Sequence, residues 1–445
     1  MNFENAKTLL ENEAKRLGIE KYEIYYTASE SLNTETLKNE ISSFSSGCGA
    51  GISFRCIVDG HTGNAATELF EEAELKALVS RAFQNAKVIE NDDPAIIFGG
   101  SEKYESIKDS VNSMPTAAEI KQLALSLQQK TYAQSEFVTD GTQSGVFADT
   151  SVYELFNSEG LRLSNKVCCS GAYVQAVVNC NGEASDGFEY ALGFENAEQL
   201  SVKAVATSIS KLGAGSVKSG KYPIIIDGRQ MRALLSTYCS VFSGKYVLQG
   251  LSLLAGKVGE KIAADCVTLI DDPQYKYCPV KTAFDGEGVA TFKKNVIEGG
   301  ILQTLLYDLA TAHRAGVKTT ANGQRGSYAQ QVNIAPFCFY IQQGELSEEQ
   351  LMEKMGNGLY VTELKGLHAG ANAVTGDFSI ESAGFLVKDG KLSRAVKGFT
   401  IAGNFFDLLK DIDAIANNVK FGLPSGFTMF GSPNILLKPM SVAGE

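Results

Sequence analysis

At 445 residues with 44% hydrophobic side chains, the chain has the length of two or three domains and ample material for a buried core. Its formal charge of −11 and the absence of any basic block exclude a surface built for phosphate backbones, which draws on clustered Lys and Arg. No run reaches the roughly 18 apolar residues of a membrane helix, and the acidic, amphipathic opening MNFENAKTLLENEAKRLGIE lacks the basic-then-apolar order of a leader. A cytoplasmic protein with no nucleic-acid partner and no membrane span is expected.

The first predicted helix covers Phe3 to Leu17, where Phe3, Ala6, Leu10, Ala14 and Leu17 recur on one face and Gly18 stops the run. A short strand, YEIYYT, follows at Tyr22–Thr27, and then a hairpin of GAGISFRCIVDG with HTGNAAT, turned at Asp59–Gly60. The second helix spans Glu68 to Val88 on a stripe of Leu75, Leu78, Val79, Ala82, Phe83 and Ala86. A third opens near Pro115, a residue suited to a first helical turn, and runs to Tyr132. Strands at SVYELFNSEG and CCSGAYVQAVVNCNG precede a helix from Ala197 to Leu212. Passages Tyr22–Val88 and Phe137–Leu212 thus share an order of strands then helix, which suggests an internal duplication.

Small residues at Leu212–Pro223, LGAGSVKSGKYP, mark a linker. Beyond them the pattern is mostly strands, with hairpin turns at Glu298–Gly300 and Asp389–Gly390. One helix starts at Ser347 with a capping box to Gln350, and another covers Phe405–Ala416. The predicted fold class is α+β in two domains: an N-terminal α+β domain over residues 1–215 and a mainly antiparallel β domain over 216–445.

Several local motifs point to no chemistry. Gly215–Lys221, GSVKSGK, resembles the start of a phosphate loop, but Tyr222 follows where Ser or Thr belongs, and the segment precedes a strand when it should open a helix. Gly47–Gly51, GCGAG, lacks the context of a dinucleotide fold and suits close backbone packing. His61, His313 and His368 lie far apart with no i, i+4 pair. The nine cysteines are odd in number and without CxxC spacing, so neither a disulfide framework nor a zinc finger is indicated; adjacent Cys168 and Cys169 fall on opposite faces of a strand.

Four segments carry a family resemblance: LMEKMGNGLYVTELKG, TGDFSIESAGFLVKDGKL, GFTIAGNFFDLLKDIDAIANN and SVAGE, in that order. Together they resemble the C-terminal domain of the TldD/PmbA family, the modulators of DNA gyrase, whose catalytic members are zinc metalloproteases with an HExxxH helix and a cysteine near the C-terminus. Anchored on LAGKVGEKIAADCVTLIDDP, the six motif positions fall on Leu235, Ser236, Thr237, Tyr238, Cys239 and Ser240, and the cysteine falls near Phe430. Leu235, Ser236, Ser240 and Phe430 thus stand where ligands and base belong. A catalytic zinc needs about three N, S or carboxylate ligands and a base beside its water, so the resemblance is closest to the non-catalytic PmbA/TldE branch.

The expected function is a metal-free subunit of a TldD/TldE-type complex that supports proteolysis of unfolded peptides. It has no cofactor of its own; zinc sits in a TldD-like partner, and the isolated chain forms a homodimer. Gly376, Asp377, Phe378 and Gly384, on the strand GDFSIESAGF, are candidates for holding an extended peptide at a strand edge, against the plainer reading of a core strand. Two alternatives stand beside this: a self-sufficient peptidase drawing on His313, His368, Asp377 and Cys239, the last packed on a helix RQMRALLSTYCSVF, and a non-enzymatic regulator of gyrase or toxin–antitoxin proteins.

Overall fold

A computed structural model of the protein describes residues 3–90, 93–107 and 114–445. The first half builds the same order of elements twice. Helix α1 (Phe3–Arg16), strands β1 (Lys21–Leu37), β2 (Glu40–Val58) and β3 (His61–Thr67) and helix α2 (Glu72–Val88) form one unit. Helix α3 (Ala117–Tyr132), strands β4 (Gln143–Asn157), β5 (Arg162–Cys180) and β6 (Glu183–Leu192) and helix α4 (Glu198–Ser210) form the other. The strands make one antiparallel sheet of six in the order β3-β2-β1-β4-β5-β6, joined at its centre by β1 and β4 in register from Glu23↔Asn157 to Leu37↔Gln143.

Side-chain alternation explains how this sheet serves two partners. Ile24, Ile52, Phe54 and Cys56 face α1 and α2, and Ala172, Val174 and Ala176 face α3 and α4, so each unit closes its own apolar core. A glycine lets each outer strand approach its helix. A Cβ on Gly63 of β3 would strike the backbone of Ala82 and Ala86, and one on Gly187 of β6 would strike the backbone of Ala204 and Ser208. The opposite face of the sheet, with Glu23, Tyr25, Tyr153 and Val167, meets the second half of the chain.

That half contains strands β7 (Gly220–Ile226), β8 (Leu269–Asp271), β9 (Lys294–Glu298), β10 (Ile301–Leu302), β11 (Gly323–Gln324), β12 (Asn333–Ile334) and β13 (Cys338–Ile341). After these come β14 (Gly358–Lys365), β15 (Asp377–Lys388), β16 (Lys391–Asn404), β17 (Ile412–Ile415), β18 (Lys420–Phe421), β19 (Met429–Ser432) and β20 (Ile435–Ala443). The helices are short: α5 (Gly228–Thr237), α6 (Gly244–Leu248), α7 (Leu309–Ala315), α8 (Glu348–Met355), α9 (Leu367–Gly370) and α10 (Phe405–Lys410). One sheet runs β10-β9-β8-β13-β19-β18; another runs β16-β15-β14-β7-β20-β17, and a β16–β20 pairing closes five of its strands into a barrel. Pairing is antiparallel except at β7–β14 and β13–β19. The largest core lies between these sheets and α5.

The α+β class and the sheet-rich second half agree with the sequence reading. Several elements differ from it. Strand β1 is 17 residues long, because β2 and β4 pair with both of its edges and hold the polar stretch Ser29–Thr36 extended. Strand β6 has no apolar run to announce it. Pro115 stands before the N-cap, and Thr116 with Glu119 forms the capping box of α3. The helix predicted to reach Ala416 ends at Lys410, since Ile412–Ile415 pairs with β20. The turns at Asp59–Gly60 and Asp389–Gly390 have the positive φ values that a two-residue hairpin requires.

Because both glycine contacts are with backbone atoms, neither neighbour can rotate away. Gly63→Ala and Gly187→Ala are each expected to cost about 1–3 kcal/mol, read as a lower thermal midpoint, whereas Gly49→Ala, which meets nothing within 4 Å, leaves it unchanged.

Candidate functional site

Helix α5 is opened by Asp227, whose carboxylate accepts the Arg229 N–H at 2.9 Å. Its apolar face buries Met231, Leu234 and Leu235. The helix ends at Thr237, and Cys239–Phe242 continues as a 3-10 turn. The six motif positions therefore lie on no continuous α-helix, a departure from the sequence reading. Thr237, Tyr238 and Cys239 have low helix propensity, and Tyr238 is drawn inward: its ring stacks on Phe405 at 4.5 Å, and its hydroxyl donates to the Asp377 carbonyl at 2.8 Å.

Helix α5 packs on β19, and Leu235, Cys239 and Phe430 join one apolar cluster, with Phe430 set edge-on to Phe339 at 6.2 Å. Ser236 is exposed and Ser240 half-buried. Burial pushes the Cys239 thiol up to about 12, with Asp271 adding to the shift, and no histidine is among the groups acting on it. His313 and His368 are exposed on α7 and α9. Among the described residues, no three His, Cys, Asp or Glu side chains converge in a way that could hold a metal ion.

Strand β15 has strands on both sides over only part of its length. It pairs with β16 along its length and with β14 from Glu381 to Val387, and Ala371 bridges to Phe378. Phe378 is buried in the core, and a Cβ on Gly384 would strike the Tyr360 carbonyl. Gly376 has a φ of +85° and packs beside Phe406, while the Asp377 carboxylate accepts from Asn404 Nδ2 at 2.9 Å. Gly376 and Asp377 knit the strand to the cap of α10. On one side of Asp377–Ile380 β16 uses the main-chain groups; on the other, β14 pairs only from Glu381 onward, and the Ala371–Phe378 bridge lies beyond its end.

Sequence reasoning missed the seam between the two halves, where charges are buried together. Glu23 of β1 accepts from Arg55 Nη2 at 3.0 Å and from Arg325 of the second half, and the Arg325 guanidinium lies 4.6 Å from the Tyr25 ring centre. Coulombic attraction of Arg325 and Arg55 outweighs burial and holds the Glu23 carboxyl below its usual range. Nearby, Asp285 and Glu287 are pushed up by burial. Asp285 accepts backbone N–H bonds from Glu287, Val289 and Gly323, which hold its shift back. Glu287 accepts one, from Leu309, and the nearby Asp285 and Asp308 carboxylates add to the effect of burial in raising it. Separations of 32 and 302 residues between Glu23 and its partners leave no spacing motif to find.

A family model for the PmbA/TldA metallopeptidase C-terminal domain matches residues 219–444, and models for domain 1 and the central domain match 22–86 and 111–212. The chain belongs to the PmbA/TldD family. A metalloprotease of Methanocaldococcus jannaschii is 26% identical over 88% of this chain and 88% of its own. The metalloprotease PmbA of Escherichia coli O157:H7 is 29% identical over 60% of this chain and 56% of its own. Among solved structures, a Thermotoga maritima protein described as a candidate modulator of a DNA gyrase superposes with a TM-score of 0.90 at 27% identity, over 99% of this chain and all of the other. TldE from Thermococcus kodakarensis shares the fold, with a TM-score of 0.89 at 24% identity over 98% and 99% of the two chains.

The PmbA/TldD family is a metallopeptidase family, and the residues here do not fit a catalytic zinc. A leucine and a phenylalanine offer no lone pair, and a serine hydroxyl is a poor substitute for imidazole or thiolate as ligand and for a carboxylate as base. No step is derived through a metal in this chain.

Cys239 is expected to resist alkylation at neutral pH while Cys48 and Cys266, both exposed, react; mass mapping after brief iodoacetamide treatment reads this directly. The seam carries a pH signature. With the Glu287 carboxyl raised in the folded state, the unfolded chain gives up that proton first, so stability falls as pH climbs from the ordinary carboxylate range through the raised value. The thermal midpoint is expected to drop between about pH 5 and pH 8, and Glu287→Gln to flatten that slope.

Proposed function

We propose that this chain is a metal-free, PmbA/TldE-type subunit of a cytoplasmic TldD/TldE-type metalloprotease complex, supporting the cleavage of unfolded peptides by a TldD-like partner that holds the zinc. The observation that carries the reading is the donor-free surface of α5 against β19: a metallopeptidase fold in which Leu235 and Phe430 belong to the apolar cluster. The relatives' names support membership of a protease system, and the fold shared with a protein named TldE is consistent with the subunit role. In the absence of a TldD-like chain, this one pairs with itself.

A nucleophile-based peptidase is the weaker reading. Cys239 has its thiol pushed up to about 12, so almost none is thiolate at neutral pH, and a general base is needed to activate it. The regulator alternative rests on the net charge of −11 and on the description of the Thermotoga maritima structure as a DNA gyrase modulator.

The test is zinc content by elemental analysis together with cleavage of an unfolded peptide, on the chain alone and after co-expression with a TldD-like subunit. The chain alone is expected to hold far less than one zinc and to cleave nothing; the mixed complex is expected to hold zinc and cleave. Stoichiometric zinc with activity in the chain alone would sink the proposal.

A further inference from the structure

After β8 the chain makes a loop, Asp272–Thr282, with the sequence DPQYKYCPVKT. The loop leaves the sheet with the Asp272 N–H donating to the Cys338 carbonyl at 2.9 Å, and it returns with the Thr282 N–H donating to the Pro273 carbonyl at 3.3 Å. Inside it, Tyr275 N–H donates to the Asp272 carbonyl at 3.2 Å and Cys278 N–H to the Tyr275 carbonyl at 2.9 Å. These two turns double the chain back and bring Cys278 to Cys338, the first residue of β13. Both side chains are buried in one apolar cluster with Ile270, Met429 and Val167. The Cys338 thiol donates to the Cys278 sulfur, and so does the Val280 N–H.

The two thiols are unequal. The bond from Cys338 lowers the Cys278 thiol, with the Val280 N–H and the Lys281 ammonium acting the same way against burial. Cys338 is pushed up by burial and by its bond to Cys278, so it keeps its proton. A thiol lowered by its surroundings, with a second thiol beside it, is the arrangement of an attacking and a resolving cysteine. Cys169 of β5 does not compete as the attacking group, because burial and the charges of Asp149, Cys168 and Cys278 push it up to about 12. Access to Cys278 comes through the loop, whose Lys276 and Tyr277 are exposed. Among the described residues, the backbone of Gln274–Val280 bonds only within the loop, so opening it costs less than parting the sheet.

We infer that Cys278 and Cys338 are a redox pair, closed to a disulfide by a peroxide and reopened by a thiol reductant. The Cys278 thiolate attacks one peroxide oxygen: an S–O bond forms as the O–O bond breaks, and the departing hydroxide takes the proton that Cys278 gave up. Cys338 sulfur then attacks the sulfenic sulfur of Cys278. The S–S bond forms as the S–O bond breaks, and the second hydroxide leaves with the Cys338 proton as water. Two thiols and one hydrogen peroxide become one disulfide and two waters, the sulfurs oxidised and the peroxide reduced. The bond fastens the loop to β13 at the seam, where Asn165 Nδ2 of β5 donates to the Lys281 carbonyl at 3.1 Å. A reversible pair of this kind is compatible with a reducing compartment. It does not depend on the metal-free reading, since neither cysteine is among the six motif positions or at Phe430.

The experiment is peptide mass mapping of the full, reduced chain at micromolar concentration and neutral pH, after treatment with a small excess of hydrogen peroxide and blocking of the remaining thiols by iodoacetamide in denaturant. One linked peptide pair is expected, joining Cys278 to Cys338, lighter by two hydrogens than the separate peptides and opened by dithiothreitol. In Cys338→Ala, Cys278 is expected to stop as the sulfenic acid and to take up dimedone, which the wild-type chain does not; in Cys278→Ala, neither link nor dimedone is found at Cys338. Circular dichroism checks that both variants are folded, and the wild-type map stands without them. Oxidation at exposed Cys48 and Cys266 with no linked pair, a link through Cys169 instead, or a Cys278–Cys338 link that forms only in denaturant each overturns the inference. Zinc content and peptide cleavage, measured on the reduced chain, test the functional reading separately.

Discussion

The relation between the two halves turns on one buried carboxylate. Glu23 is fully enclosed, and its ionised form survives because Arg55 approaches along the same sheet and Arg325 across the seam. Removing three charges from water costs more than their attraction returns unless the geometry is met closely. Such a cluster therefore contributes less to stability than to choice: a second half displaced along the sheet would carry the Arg325 guanidinium away from Glu23 and leave both buried without each other. That penalty fixes where the second half of the chain sits on the sheet, and with it the placement of Asp285, Glu287 and Gly323 beneath them.

The face of α5 toward β19 shows the opposite solution. A zinc site holds its neighbourhood through a few strong, directional bonds. In this chain the same neighbourhood is held by burial of Leu235, worth about 1.5–3 kcal/mol for a leucine, and by edge-on contact between Phe430 and Phe339, worth about 0.5–1.5 kcal/mol beyond area. The break at Tyr238 fits this change. A helix presenting two imidazoles to one ion must keep its register through the motif, whereas apolar side chains need only stay inside. Tyr238 can then turn its hydroxyl to Asp377 and its ring to Phe405.

What the sequence made legible follows the same physics. Elements with a strong local signal were readable: the apolar stripe of α2, the capping box at Ser347, and the hairpins at Asp59–Gly60 and Asp389–Gly390. Elements held by neighbours were not. The polar half of β1 is a strand only because β2 and β4 flank it, and Ile412–Ile415 leaves the helical pattern because β20 offers it a partner. The pairing of β15 was not legible for a related reason, since alternation tells which face is apolar and says nothing about which edge is open. The seam residues were invisible because Glu23, Arg55, Asp285 and Arg325 are individually ordinary charges whose meeting depends on the whole topology.

The seam itself has a graded chemistry that the repeated architecture makes possible. At the β2–β1 side the first repeat contributes Arg55 and Glu23; at the far margin Glu189 of β6 pairs with Arg229, and the Tyr190 hydroxyl donates to the Phe421 carbonyl at 2.5 Å. Between them lies an apolar strip where Tyr153 packs on Phe427 at 4.7 Å and Val167 joins Ile270, Cys278 and Met429. Apolar area supplies the attraction but tolerates sliding, while ion pairs at the two margins tolerate none. A single sheet made of two similar units provides both at once, because each unit presents its own strands to the seam.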